Sequence, residues 1–64
     1  MEINEGAPAQ DIQPGEIRTG DDGNRYIVLA NGTWFNVSKV PWVNRQRQLV
    51  EFQQNIRETA RRKK

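Results

Sequence analysis

Two adjacent carboxylates, Asp21 and Asp22, are the residues whose type and spacing most suggest chemistry. A carboxylate pair can carry out acid–base hydrolysis or hold a metal ion. Neighbouring side chains in a tight turn point apart, however, and the run from Asp21 to Asn24 lacks the spacing and the closing glutamate of a calcium loop. We therefore interpret this run as a turn and predict neither a metal site nor a cofactor.

The other side chains offer little for catalysis. Histidine and cysteine are both absent, so the commonest general base and the best nucleophile are missing. Ser38 is the one serine, and no candidate base is at hand to activate it. We expect a non-catalytic protein with no small-molecule substrate.

Length and composition predict one small soluble domain. The 64 residues contain no run of about 18 apolar residues, the length that a membrane span needs. The first ten residues lack the basic start and apolar stretch of a signal peptide. We expect no membrane contact and a cytoplasmic protein, or a virion-associated one if the source is viral.

Charge is distributed unevenly along the chain. Residues 1–24 carry a net charge of −5 and residues 25–64 a net charge of +7. Such a split indicates an electrostatic partner for one of the two poles. The alternative is that the acidic part screens the basic part of the same chain.

Residues 1–14 form an acidic leader, and residues 15–64 form the predicted domain. The leader is rich in Glu, Gln, Pro and Gly, so it cannot repay the entropy of ordering by its own burial. It is expected to be flexible and disordered, or ordered by some other surface through Ile3 and Ile12.

Two turns divide the middle of the chain into three strands. Asn31-Gly32 lies between apolar, β-rich runs and predicts a hairpin with a two-residue type I′ loop, which pairs Leu29 with Trp34. Asp22-Gly23, treated in the same way, pairs Ile17 with Val28, although a longer loop over residues 20–23 is an alternative. Both registers predict the same two faces of the sheet: Ile17, Thr19, Tyr26, Val28, Phe35 and Val37 on one, and Glu16, Arg18, Ile27, Leu29, Trp34 and Asn36 on the other.

A helix is predicted over residues 41–62. Pro41 suits the first helical position, but Val40 is no capping residue, so Ser38 or Asn44 are alternative starts. Spacing at 100° per residue gathers one apolar stripe, with Val43 and Val50 at its edge: Trp42, Leu49, Phe52, Ile56 and Ala60. The simplest fold is α+β, a three-stranded antiparallel meander at 15–39 with this amphipathic helix laid across the face that carries Val28.

The face that the helix leaves open is the first candidate site. Ile27, Leu29 and Trp34 would form a compact apolar patch there, with Trp34 as the anchor of a docking surface for a protein partner or a second copy. The alternatives are that the leader folds back over the patch through Ile3 or Ile12, or that the helix packs on this face instead.

The basic end of the helix is the second candidate site. It contains five cationic residues that could contact phosphates: Arg57, Arg61, Arg62, Lys63 and Lys64. The alternative is a solvated helix terminus whose cations match the helix dipole.

These features predict a non-catalytic protein-interaction module. We expect a small structural or accessory component of a larger assembly, such as a bacteriophage virion. One alternative is a nucleic-acid-binding accessory protein that uses the basic helix end. Another is a small inhibitor of a host enzyme, which would use the same docking face.

Overall fold

The computed structural model describes residues 2–62 and confirms the predicted α+β fold. Strands β1 (Ile17–Thr19), β2 (Arg25–Val28) and β3 (Trp34–Asn36) form an antiparallel sheet in the order β1-β2-β3. Two 3-10 turns, Val37–Lys39 and Pro41–Val43, lead to one helix, α1 (Gln46–Arg62). No helix within residues 2–62 is both long and apolar enough to cross a membrane.

The hairpin between β2 and β3 has a three-residue loop, one residue longer than predicted. Leu29 N–H donates to Thr33 O over 2.8 Å, and Gly32 N–H donates to Leu29 O over 2.9 Å. Gly32 has a φ of 83°, whereas Asn31 does not have the positive φ that a type I′ turn requires. Asn31 instead accepts a hydrogen bond from Thr33 N–H through Oδ1. The predicted register was therefore wrong by one residue.

The hairpin between β1 and β2 repeats this geometry. Gly20 N–H donates to Asn24 O over 2.9 Å, Gly23 N–H donates to Gly20 O over 3.0 Å, and Gly23 has a φ of 84°. The alternative of a longer loop is thus the correct one. Because both loops gain one residue, β2 shifts equally against both neighbours, and the observed pairs are Ile17↔Ile27, Ile27↔Phe35 and Val28↔Trp34.

The extra residue in each loop exchanges the two sides of β2. A shift of one residue turns every side chain of a strand to the opposite face. Ile27 therefore shares a face with Ile17 and Phe35, while Val28 shares the other face with Trp34. The predicted composition of the two faces is corrected accordingly.

Helix α1 covers the face that carries Ile27, not the face that carries Val28. A core cluster of four buried residues lies between sheet, 3-10 turns and helix: Ile27, Val37, Val43 and Ile56. Phe35 and Phe52 pack against this cluster from the two sides of the interface. The amide of Gln53 also donates to Gly15 O over 2.7 Å, which joins the helix to the chain just before β1.

The N-terminal segment covers the opposite face of the sheet. Ile3, Tyr26, Val28 and Trp34 form a second buried cluster, and three smaller contacts complete it: Ala7, Ala9 and Ile12. The expectation of a disordered leader is therefore corrected for residues 2–14. The surface that holds the leader is the chain's own sheet, and Ile3 and Ile12 make the contact, as the alternative required.

Residues 2–9, called the arm below, also extend the sheet at the free side of β3. Gly6 N–H donates to Trp34 O over 2.8 Å, Trp34 N–H donates to Ala7 O over 3.0 Å, and Ala9 N–H donates to Gly32 O over 2.8 Å. These bonds satisfy backbone groups that an edge strand would otherwise expose.

Candidate interaction site

The three residues of the predicted docking patch do not form one surface. Ile27 is 0% exposed beneath the helix, and Trp34 is 6% exposed beneath the arm, on the other side of the sheet. Leu29 is half-buried on the helix side, beside a cavity. The physical reason is the register, which separates Ile27 from Trp34, together with the arm, which covers the Trp34 ring.

The basic residues of the helix end also do not form one surface. Arg57 and Arg61 line a cleft together with Gln13 and Pro14. Arg62 lies elsewhere on the helix and pairs with Glu58 over 3.4 Å. Lys63 and Lys64, the other two residues of the predicted phosphate contact, lie outside the described residues. The described arginines thus point in two directions.

The exposed aromatic residue of the described chain is Trp42. It is 54% exposed and meets the ring of Phe52 edge-on, with 5.8 Å between ring centroids. Phe52 in turn packs against Phe35 of β3, with 6.0 Å between the ring centroids. Packing on one side therefore holds Trp42 in place while the rest of its indole faces solvent.

Two adjoining surface depressions lie between Trp42 and the loop between β2 and β3. The larger part is an open depression of about 350 Å³ whose apolar lining comes from Leu29, Ala30, Phe52 and Ile56. The smaller part, of about 260 Å³, lies beside Trp42 and shares Phe52 and Asn55 with the larger part. We call the two parts together the aromatic groove.

The polar lining of the aromatic groove is almost free of charge. Asn31 and Thr59 border the larger part, Gln48 and Glu51 border the smaller part, and Asn55 borders both. Glu51 is the one charged residue among the lining residues, so no described cation faces the groove. A groove of this character suits an apolar side chain and the amides of a polypeptide.

Asp22, one of the two carboxylates considered for chemistry, has a structural role. The hydroxyl of Tyr26 donates to Asp22 Oδ2 over 2.6 Å. That bond lowers the pKa of Asp22 below its ordinary value and raises the pKa of Tyr26 above its own. Among residues 2–62, no group of three or more acidic residues is arranged to hold a metal ion.

Two other polar residues also serve the fold. The hydroxyl of Ser38 accepts a hydrogen bond from Arg25 N–H over 2.9 Å. Glu5 accepts from Asn36 N–H and from the ammonium group of Lys39, each over 3.3 Å. The bond from Asn36 and then the bond from Lys39 lower the pKa of Glu5, so this carboxylate joins the arm to the end of β3.

Sequence reasoning missed Trp42 as a surface residue because it was assigned to the apolar stripe of the helix. The helix begins at Gln46, and Pro41 opens a separate 3-10 turn instead. Trp42 therefore does not follow the spacing of Leu49 and Ile56. The available signal was Val40, which cannot cap a helix and so argued for the later start.

Comparison of the chain with protein-family models, with curated proteins and with solved structures finds no match. The molecule belongs to the class of small α+β domains by its fold, and its function is argued from the geometry described above.

Proposed function

We propose that this chain is a non-catalytic protein-interaction module, a small structural or accessory component of a larger assembly in the cytoplasm or in a virion. The observation that carries the proposal is Trp42, which is 54% exposed and is packed edge-on against Phe52 at the aromatic groove. A tryptophan that is held in place yet open to solvent is the kind of residue that dominates binding energy at protein interfaces.

The partner that fits this groove is a polypeptide segment with one large apolar side chain next to a lysine or arginine. Leu29, Phe52 and Ile56 supply an apolar floor, and the open depression of about 350 Å³ has room for one large apolar side chain. Glu51 places a negative charge beside Trp42. A cation on the partner complements that carboxylate, whereas a phosphate backbone would be repelled by it.

Gln48 supports a peptide rather than a purely apolar partner. Its Oε1 is buried and has no hydrogen-bond partner within residues 2–62. Gln48 also lines the smaller part of the groove beside Trp42. A side-chain amide in that position can accept from a backbone N–H of a bound peptide or donate to its C=O.

The test selects peptides from a random library displayed on phage against the full chain. We expect the selected peptides to share a large apolar residue beside Lys or Arg. Calorimetry with a synthetic consensus peptide should then show affinity reduced by at least about tenfold in Trp42→Ala. Val50→Ala is the matched control, because Val50 is a 45% exposed apolar residue that lines a different cleft.

The consensus peptide should bind the Val50→Ala variant within about twofold of its affinity for the unchanged chain, as expected for a residue outside the contact. A consensus peptide whose affinity is unaffected by Trp42→Ala would contradict the proposal. Equal losses in both variants would contradict it as well, since they would indicate a general loss of folding.

Nucleic-acid binding is a second candidate function, supported by the cleft that Arg57 and Arg61 share. It predicts binding to a DNA duplex that weakens steeply as salt rises, because released counterions drive such binding. It also predicts a loss of affinity when Arg61, Arg62, Lys63 and Lys64 are all replaced by Gln. Fluorescence anisotropy at two salt concentrations measures both effects, and binding that does not respond to salt would count against this function.

Inhibition of a host enzyme is a third candidate function, and it would use the same aromatic groove. The consensus peptide separates it from assembly: an inhibitor requires that the consensus match a segment of an enzyme and that the chain slow that enzyme. Trp42→Ala would then relieve the inhibition.

A further inference from the structure

The arm is bound to the sheet as a separate peptide strand would be. Its backbone pairs with the side of β3 through three hydrogen bonds, centred on an antiparallel bridge between Pro8 and Thr33. Ile3 fills a site next to Trp34 on the face of the sheet. Main-chain bonds along an edge strand, combined with side-chain sites on the sheet, are the means by which sheets bind added strands.

The connection between the arm and Gly15, where pairing with β2 begins, comprises residues 10–14 and is held in a shape that its sequence does not favour. Asp11 has a φ of 59° and is the one non-glycine residue with a positive φ among residues 2–62. Aspartate tolerates this conformation better than most residues, but less readily than glycine does. Pro14 biases Gln13 toward an extended backbone. An extended connection would therefore relieve the strain at Asp11.

We propose that two copies of this chain exchange their arms, so that the arm of each copy pairs with β3 of the other. A second copy offers the same edge and the same site for Ile3, so exchange replaces every contact of the arm by an identical one. The exchanged dimer is favoured because the backbone strain at Asp11 is relieved in both copies. It is opposed by the translational entropy that two chains lose when they associate. The dimer is therefore favoured at high protein concentration. This surface is separate from the aromatic groove, and the inference does not depend on the proposed function.

The test uses cysteine pairs, which the natural chain lacks. Pro8→Cys and Thr33→Cys are made in separate chains, mixed in urea, refolded together at high concentration and oxidised. Residues that face each other across a bridge lie close enough for a disulfide. Exchange therefore predicts disulfides between unlike chains at least about fivefold more often than between like chains, whereas random collision predicts about equal amounts.

The matched control is the mixture of Thr19→Cys with Arg25→Cys. These residues face each other within one chain across β1 and β2, and arm exchange does not bring them together between chains. The control should give no excess of unlike pairs. Equal yields from the two mixtures would overturn the proposal.

A second measurement needs no change of sequence. In a mixture of isotope-labelled and unlabelled natural chain, filtered NMR spectra should show contacts between Ile3 of one copy and Trp34 of the other at millimolar concentration. Spectra of a dimer without such contacts would overturn the exchange. Asp11→Gly should raise the dissociation constant of the dimer by roughly tenfold, because it removes the strain in both connections.

Discussion

The two faces of the sheet are covered in different ways. On one face, α1 presses Ile56 against Ile27 and Val37 in a cluster of aliphatic side chains. A helix satisfies its own backbone hydrogen bonds, so it needs to contribute only apolar contacts to the sheet. This face is consequently covered by a regular element whose spacing is visible in the sequence.

On the other face, an irregular arm covers Trp34 and Tyr26. Such a segment cannot satisfy its backbone internally, and an unpaired buried N–H or C=O is unfavourable. The arm therefore takes its hydrogen bonds from the edge of β3, and Glu5 binds the last N–H of that edge. Apart from one turn within the arm, where Ala7 N–H donates to Asn4 O, its order depends on contacts with the sheet.

The difference between the faces predicts different kinds of stability. The face covered by the helix contains the core cluster to which β2, the two 3-10 turns and α1 all contribute. A substitution that removes packing in this cluster should therefore unfold the whole domain. The arm face can open while sheet and helix stay folded, since local opening requires less free energy than global unfolding.

The largest effect is expected from Ile27→Ala on the helix face. Ile27 is fully buried in the central strand, and truncation of such a residue costs about 2–5 kcal/mol. This loss approaches the total stability of a domain of this size, roughly 3–10 kcal/mol. Urea denaturation followed by circular dichroism measures it, and Ile27→Val, with an expected loss of about 0.5–1.5 kcal/mol, provides a folded variant. A loss below about 1 kcal/mol for Ile27→Ala would contradict the comparison.

A smaller effect on global stability is expected from Ile3→Ala on the arm face. The cost of the missing side chain cannot exceed the free energy with which the arm is bound, because the arm then opens instead. We expect a loss below about 2 kcal/mol in urea denaturation. Amide hydrogen exchange should become faster at Gly6 and Trp34 than the loss of global stability accounts for, whereas exchange at Ile27 should become faster only by the factor that corresponds to that loss. Equal acceleration at all three amides would show that the faces are not independent.

The smallest effect is expected from the pH dependence of the bond between Tyr26 and Asp22. The lowered pKa of Asp22 means that its contribution is present above about pH 4 and is lost as pH falls through the folded-state pKa. The raised pKa of Tyr26 means that its contribution is present below about pH 10 and is lost as pH rises through the folded-state pKa. The difference in urea midpoint between the natural chain and Tyr26→Phe should therefore be largest near neutral pH. A difference in urea midpoint that is constant with pH would refute this assignment. The titration of Glu5 affects the midpoints of both proteins equally, so it does not contribute to the difference.

Much of the fold is predictable from local sequence. Gly23 and Gly32 mark the two hairpin loops because glycine accepts the positive φ that each loop needs. Leu49 and Ile56 follow the helical spacing and are buried. The candidate site was less predictable. Leu29, which was predicted to lie on a docking surface, does line the aromatic groove. The exposure of Trp42 was not predicted, because it depends on the helix beginning at Gln46.

The sequence by itself determined the number of strands, their order and the presence of the helix, because turn residues and apolar spacing act over a few neighbours. Only the tertiary structure decided which face each side chain of β2 occupies. Two-residue and three-residue loops are both common connections of hairpins, and the choice between them turns every side chain of the strand to the opposite face. Only the tertiary structure decided the order of the leader as well, since the burial of Ile3 comes from Trp34, which lies about thirty residues away in the chain.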